Sequence, residues 1–321
     1  MIVNKICLNN KFSTTRCLVE EKPEIINNPE DKFKSVLFLP ENKNRKGEGG
    51  LRTQGYFKRS FGNKPLISVI TVVYNNEAFL EETILSVINQ TYDNIEYIII
   101  DGGSTDGTLD IIKKYENKID YWVSERDKGI YDAMNKGLRV ATGYLIAFLN
   151  SDDFYKLDAI KTSLKTLMKE NKDYVIANIK FTDGFIMKPF LPLKRKIYQE
   201  MPYPHVTAII PLKIYKRVGL FYTNFKIAGD HDMAVRIILA GFENCHNNNI
   251  VAVLRKGGVS SGIYSNFESM KVAVKNGKNK FLAYITLSVQ IVKKMVENFL
   301  PPKIVGFIMK LKKSRCRYKE L

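Results

Sequence analysis

The apolar residues of this chain fall into two alternating patterns from Pro65 onward. LISVITVVY (66–74), EYIII (96–100) and YLIAFL (144–149) are short runs rich in β-branched residues, as expected of strands buried on both faces. Between them, NNEAFLEETILSVINQ and IYDAMNKGLRVATG repeat apolar residues at helical spacing. This alternation predicts an α/β fold with a mostly parallel central sheet flanked by helices.

Further segments continue the pattern. TLDIIKKY (108–115) predicts a helix and IDYWV (119–123) a short strand. YVIANIKFTDGFIMKPF predicts a hairpin that turns at Asp183 and Gly184. A later helix is expected to begin near Asp230.

Composition divides the chain into three parts. Residues 1–64 are poorly periodic and rich in Asn, Lys, Glu and Gly, which favours loop or arm over core. We therefore expect an N-terminal extension (1–64), a central domain with a first half (65–155) and a second half (156–262), and a helical tail (263–321).

The net charge of +17 indicates an acidic partner, such as nucleic acid, anionic lipid or a phosphorylated substrate. From Lys271 to the C-terminus there are thirteen Lys or Arg residues and two Glu, so most of the excess lies in the tail. Its apolar stripes are amphipathic, which suits a helix on an anionic membrane surface; an ordinary packing helix is the alternative. The uncharged run FLAYITLSVQIV is shorter than the roughly 20 residues that cross a bilayer.

The four cysteines share no disulfide or metal-ligand spacing, which is typical of a reducing compartment. The N-terminal segment MIVNKICLNNKF has no sustained apolar stretch of a secretion signal. A cytoplasmic location is therefore expected.

Polar residues follow three of the expected strands, at 74–76, 101–104 and 150–153. In an open α/β sheet, ligands bind beyond the carboxyl ends of the strands, so these clusters are expected to form a site. The adjacent acids Asp152 and Asp153 repel each other unless a cation is present, and their hard oxygens suit Mg²⁺ or Mn²⁺. Taken alone, the pair also fits a solvated or helix-capping role.

The ordered segments SVITVVYNNEAFL, NIEYIIIDGGSTDGT and YWVSERDKGIYDAMNKGLRVATGYLIAFLNSDD resemble the nucleotide-binding half of family 2 glycosyltransferases. The resemblance is specific over about 65–155 and continues more loosely to about 262, where GLFYTNFKIAGDHDMAVRIILAGF is similar to the acceptor-side segment. It implies a GT-A fold, which is Rossmann-like.

Matched position by position, the resemblance implies that Tyr74 and Asp101 hold a uracil-like base and that Asp152 approaches the ribose and donor. It implies that Asp153 binds the divalent metal. Gly102 would let the backbone approach the nucleotide.

The resemblance also implies that Asp230 is the catalytic base, although Asp232 two residues later remains an alternative. The loop holding Asp127 and Lys128 is expected above the donor. His205 resembles a family position near the acceptor.

Other charged residues have competing interpretations. Arg236 is expected to pair with Asp232 at i, i+4, and the histidines His231 and His246 are expected to be structural. In the family that the chain resembles, a His-containing turn helps hold the diphosphate, so the resemblance implies that Arg255 or Lys256 takes this role here. The segment 43–60, with Arg45, Lys46, Arg52, Lys58 and Arg59, either folds over donor phosphates, contacts acceptor lipid or is a linker.

The function so implied is inverting transfer of a sugar from a nucleotide sugar, with UDP expected, to a polysaccharide or lipid-linked acceptor at the inner face of the cell membrane. A sugar-phosphate nucleotidyltransferase would need a Gly-rich basic loop after the first strand, which YNNEAF lacks. A nucleic-acid-binding protein would explain the charge but not the acids at the strand ends.

Overall fold

The computed structural model describes residues 5–189, 197–198, 201–255 and 263–299. Strands and helices alternate through the central domain, as the sequence pattern predicts. The strands are β1 (Gly47–Gly49), β2 (Ile67–Val73), β3 (Ile95–Asp101), β4 (Tyr121–Ser124), β5 (Leu145–Phe148), β6 (Phe154–Tyr155), β7 (Tyr174–Phe181), β8 (Ile186–Met187), β9 (Ile209–Pro211) and β10 (Asn244–Leu254). The helices are α1 (Leu80–Ile88), α2 (Thr108–Lys114), α3 (Ile130–Val140), α4 (Ala159–Glu170), α5 (Leu212–Val218), α6 (Gly229–Leu239), α7 (Ile263–Lys275) and α8 (Lys280–Phe299).

In the described residues these strands form one sheet in the order β1-β4-β3-β2-β5-β9-β7-β10-β6, with β8 paired to β7. The predicted parallel arrangement holds for the block β4-β3-β2-β5 and for the pair β7-β10. It does not hold for β9, which runs antiparallel to both β5 and β7. Mixed sheets of this kind are common among large sheets, where antiparallel strands accompany a parallel block.

Helices cover both faces of the sheet, and each face has its own apolar core. Leu80, Ile84 and Ile88 of α1 pack on one face, while Met134 and Leu138 of α3 pack on the other. The strands β2 to β5 are buried along their whole length, which explains why their sequences are continuous apolar runs. The α/β prediction is therefore confirmed.

The hairpin predicted at Asp183 and Gly184 is present, because β7 and β8 pair antiparallel around it. Gly184 has φ +91°, a left-handed conformation that favours glycine at a tight turn.

The N-terminal extension differs from the loop or arm that its composition predicts. It packs on the domain: β1 pairs antiparallel with β4 at the edge of the sheet, and Leu18 and Leu51 are fully buried. Arg52 and Lys58 are also buried, so neither side chain is available to donor phosphates or lipid.

Two buried ion pairs fasten the extension to the sheet. The guanidinium of Arg52 lies 2.6 Å from Glu96, and the ammonium of Lys58 lies 3.0 Å from Asp120. Composition does not reveal this, because a lysine in a polar segment has the same sequence signature whether its partner is a carboxylate or water. Burial lowers the pKa of Lys58, and Asp120 opposes that effect.

The C-terminal helices begin as part of the domain. The buried carboxylate of Glu268 on α7 accepts hydrogen bonds from the backbone N–H groups of Lys226, Ile227 and Ala228, just before α6. On α8, Ala283 and Leu287 are buried. Among the described residues, no helix has the length and apolarity that crossing a bilayer requires.

We predict that Lys58→Met will lower the free energy of unfolding by about 3 kcal/mol, because it leaves the Asp120 carboxylate buried without its cation. Urea unfolding followed by circular dichroism measures the change. The double variant Lys58→Met/Asp120→Asn should recover much of the loss. Lys64→Met is the matched control, since Lys64 pairs with Asp93 at the surface; equal destabilisation by both single variants would contradict the buried-pair explanation.

Candidate functional site

The carboxyl ends of four parallel strands meet at one edge of the sheet. Val73 at the end of β2 is paired with Asp101 at the end of β3, and Asp101 with Ser124 at the end of β4. On the other side of β2, Phe148 at the end of β5 is paired with Ile70. The polar clusters that follow these strands are therefore brought together, as the sequence predicts.

Hydrogen bonds join the loops that leave this edge. The backbone N–H of Asn75 donates to Ser104 Oγ at 2.8 Å, and Asn76 Nδ2 donates to Ser151 Oγ, also at 2.8 Å. Asn75 has φ +48°, so the chain turns sharply after β2. This turn leaves Tyr74 with 63% of its surface exposed, where its ring is available to stack on a ligand.

Asp101 lies beneath the surface rather than in the open cleft. Its side chain has no exposed surface, and its carboxylate accepts hydrogen bonds from the hydroxyls of Ser104 and Ser124, each at 2.5 Å. The backbone N–H of Ser104 donates to it as well. Asp101 thus ties the loop after β3 to the end of β4, and its predicted contact with a base stays a prediction.

Gly102 lies against the loop that carries Asp127. A Cβ atom at Gly102 would lie 2.5 Å from Asp127 Oδ2, so a larger residue would displace that carboxylate. Burial raises the pKa of Asp127, and its Oδ1 accepts the backbone N–H of Gly129 at 2.8 Å. Lys128 is exposed beside it. The structure therefore places Asp127 against the glycine loop, next to Asp101.

The pair Asp152 and Asp153 lies in the turn after β5, and its members differ in exposure. Asp153 is 4% exposed, whereas Asp152 is partly exposed. Burial, together with the negative charge of Asp152, raises the pKa of Asp153 to about 7. One oxygen of Asp153 accepts the backbone N–H of Arg255 at 3.2 Å.

The side chain of Arg255 contacts the same turn. Its guanidinium donates to the backbone carbonyl of Asp152 and to Glu82, and it lies 4.3 Å from the centroid of the Phe79 ring. The predicted basic residue is thus located beside the acidic pair. Lys256, its alternative, lies outside the described residues.

The acidic pair has the chemistry of a divalent-cation site. A buried carboxylate with a raised pKa beside a second carboxylate gains stability when a cation neutralises the repulsion. Among the described residues no group of three His, Cys, Asp or Glu side chains is arranged to hold a metal. Mg²⁺ and Mn²⁺ at such sites take most of their remaining ligands from phosphates and water, so Asp153, assisted by Asp152, fits the role.

Asp230 lies at the start of α6, and the side chains of His205 and Tyr131 contact it. His205 Nδ1 lies 3.2 Å from Asp230 Oδ2, and Tyr131 Oη, which donates to the Ile227 carbonyl at 2.6 Å, lies 3.2 Å from Oδ1. Gly229 allows this approach, because a Cβ there would lie 2.7 Å from the Tyr131 ring. The other nitrogen of His205 lies 3.3 Å from Asn150 Oδ1, so side-chain contacts run from the acidic pair to Asp230.

Electrostatics keep Asp230 ionised. Burial opposes its charge, but the hydrogen bond and positive charge of His205 outweigh that effect and lower the pKa of Asp230. For His205, burial opposes the charged form, while Asp230, Asp153 and Asp152 raise its pKa. Both side chains keep about a fifth of their surface exposed, so a ligand in the cleft can reach them.

Asp232 is separated from this cleft. It is fully buried and lies 2.8 Å from Arg236 Nε, which confirms the predicted i, i+4 pair. His231 and His246 contact the Ile197 carbonyl and Asn178 respectively, as structural residues do. Geometry therefore favours Asp230 over Asp232 as the group that meets a ligand.

Sequence reasoning missed Tyr131 and Phe79. Tyr131 is the second residue of an ordinary amphipathic pattern, and only Gly229, which immediately precedes Asp230, indicates a close approach there. Phe79 has no local signal, since its partner Arg255 is far away in the chain.

Comparisons with known proteins match this region. The model of glycosyl transferase family 2 matches residues 68–224. TuaG of Bacillus subtilis, a glycosyltransferase assigned by its name to teichuronic acid biosynthesis, is 43% identical over 112 residues, or 34% of this chain and 44% of the relative. An uncharacterized glycosyltransferase of Mycobacterium tuberculosis is 31% identical over 188 residues, or 54% of this chain and 70% of the relative. The first curated relatives are matched over about half of their own length.

Solved structures share the fold. Staphylococcus aureus TarS 1–349, in complex with UDP-GlcNAc, aligns with a TM-score of 0.55 and 21% identity, covering 69% of this chain and 70% of that one. The mannosyltransferase PcManGT of Pyrobaculum calidifontis, in complex with GDP-Man and Mn²⁺, aligns with a TM-score of 0.52 and 18% identity, covering 80% and 81%. With its GT-A fold and its match to both the family model and these relatives, the chain belongs to glycosyltransferase family 2.

Proposed function

We propose that this protein transfers a glycosyl group from a nucleotide sugar to an acceptor hydroxyl with inversion at the anomeric carbon. The observation that carries the proposal is the meeting of the acidic pair and Asp230 in one cleft, connected through Asn150 and His205. Single displacement requires a base on one side of the reacting carbon and a leaving-group site on the other.

The donor would bind along the carboxyl edge of the sheet. The exposed ring of Tyr74 and the loop ordered by Asp101 are available to the nucleoside, and Asp152 would approach the ribose and sugar. UDP is the proposed nucleotide, since the TarS structure was determined with UDP-GlcNAc. The GDP-Man complex of PcManGT makes GDP the alternative.

Asp153 would hold a divalent cation, Mg²⁺ or Mn²⁺, and the Mn²⁺ in the PcManGT complex supports this. When bound, the cation would neutralise charge that develops on the departing diphosphate. The guanidinium of Arg255, beside the same turn, would add a second positive charge.

Asp230 would accept the proton of the acceptor hydroxyl. Its lowered pKa keeps it ionised at neutral pH, as a base must be. His205 contacts one carboxylate oxygen and the backbone N–H of His231 donates to the other at 2.9 Å, which limits the orientation of the carboxylate.

The acceptor is proposed to be a polysaccharide or lipid-linked precursor reached at the inner face of the membrane. Support comes from α8, on which Phe281, Leu282, Ile285 and Val289 are exposed. Apolar side chains beside the strongly basic tail complement an anionic lipid surface. TuaG, assigned to teichuronic acid biosynthesis, is consistent with a polymer acceptor.

A direct test of the function is a thermal-shift screen of nucleotide sugars with and without Mn²⁺, followed by product analysis. We expect a UDP-sugar to raise the Tm by a few degrees in the presence of Mn²⁺ because ligand binding stabilises the folded state. Chelation, or Asp153→Asn, should remove most of this shift. Absence of stabilisation by every UDP- and GDP-sugar, with DNA bound instead, would reject the proposal.

Asp230→Asn should lower kcat by roughly 10²–10⁴-fold, because an amide cannot take the acceptor proton. Donor affinity, measured by calorimetry, should be almost unchanged. Asp232→Asn is the matched comparison: loss of its buried pair with Arg236 should lower the Tm while the folded fraction keeps its activity. If Asp230→Asn retains activity, or fails to bind donor, the residue is not the base.

For membrane binding, we expect the full chain to float with phosphatidylglycerol vesicles and much less with phosphatidylcholine vesicles, because the tail is basic. Phe281→Ser/Val289→Ser should reduce flotation several-fold, since both side chains are exposed on α8. Met168→Ser, an equally exposed apolar position on α4, is the control. Flotation unaffected by the α8 variant would refute the proposed surface.

A further inference from the structure

Lys46, in the N-terminal extension, reaches into the glycine loop of the donor site. Its ammonium donates to the backbone carbonyls of Gly103 and Ser104, each at 2.8 Å. The same loop is held from below by Asp101, which accepts hydrogen bonds from Ser104 and Ser124. Asp101 therefore holds the loop through the hydroxyl and the backbone N–H of Ser104. Lys46 holds it through the carbonyls of Gly103 and Ser104.

The backbone of the extension sets the position of Lys46. Its N–H donates to the Ser124 carbonyl at 2.8 Å, directly before β1 pairs with β4. The neighbouring Arg45 lies 3.0 Å from Glu125, which Lys136 of α3 also contacts at 2.8 Å. Anchors on both sides of the backbone thus bring the lysine side chain to the loop.

The loop needs such a restraint because of its composition. Gly102 and Gly103 have no side chains to limit their backbone, and Gly103 has φ +84°. Ordering glycine costs more conformational entropy than ordering any other residue. A contact that orders the loop before the ligand arrives removes that cost from binding.

We propose that Lys46 is a positioning residue for the donor, which preorganises the Gly102–Ser104 loop to receive the nucleoside diphosphate. This inference rests on the proposed function, because the ligand is the same. Lys46 precedes residues 68–224, the region matched by the family model, so this chain adds the contact from outside the shared part.

The test compares Lys46→Met, which keeps an apolar stem but removes the ammonium, with Lys43→Met, an exposed lysine three residues earlier. Calorimetry with UDP and with GDP, each with Mn²⁺, should give a Kd about tenfold weaker for Lys46→Met and unchanged for Lys43→Met. At saturating donor, kcat should be retained, so the loss appears in KM. Lys46→Arg should restore most of the affinity.

Hydrogen exchange of the free protein gives a second readout. Peptides that cover residues 101–107 should exchange faster in Lys46→Met than in the wild type, while the Tm changes little. Wild-type affinity or unchanged exchange in Lys46→Met would overturn the inference and leave the proposed function intact. If the wild type binds neither nucleotide, the proposed function fails and this inference fails with it.

Discussion

The buried carboxylate of Asp101 holds together the strand ends on which the site is built. A charge without exposed surface is tolerated only when hydrogen bonds replace its water, and the hydroxyls of Ser104 and Ser124 do so. Ser104 lies in the loop after β3, and Ser124 is the last residue of β4. Satisfying one carboxylate therefore fixes the loop after β3 relative to the end of β4, and with it the place that a donor would occupy.

From this edge, polar contacts extend to Asp230. Asp153 is hydrogen-bonded to Asn150, Asn150 contacts His205, and His205 contacts Asp230. The two carboxylates at the ends of the series have opposite pKa shifts: that of Asp153 is raised and that of Asp230 is lowered. The difference follows from their neighbours, because Asp153 faces another carboxylate and Asp230 faces an imidazole. Asp153 therefore suits a cation site, and Asp230 suits a proton acceptor.

Segments outside the region matched by the family model also pack on the domain. The extension contributes β1 at the edge of the sheet, and its Arg52 and Lys58 pair with Glu96 and Asp120 near the amino ends of β3 and β4. Glu268 of α7 accepts hydrogen bonds from three backbone N–H groups just before α6, the helix that carries Asp230. Buried ion pairs cost desolvation and often add little net stability over apolar residues of similar size.

The sequence by itself determined the alternation of strands and helices in the first half of the domain and the family resemblance, and it predicted a cation site at Asp152 and Asp153, because each leaves a pattern within a short stretch of chain. Only the tertiary structure distinguished Asp230 from Asp232, since both open the same helix and their difference lies in His205 and Arg236. The tertiary structure also shows that Lys46 contacts the glycine loop, whereas Arg52 and Lys58 are buried. The role of a charged side chain depends on its partner and its exposure, and both come from packing between segments distant in the chain.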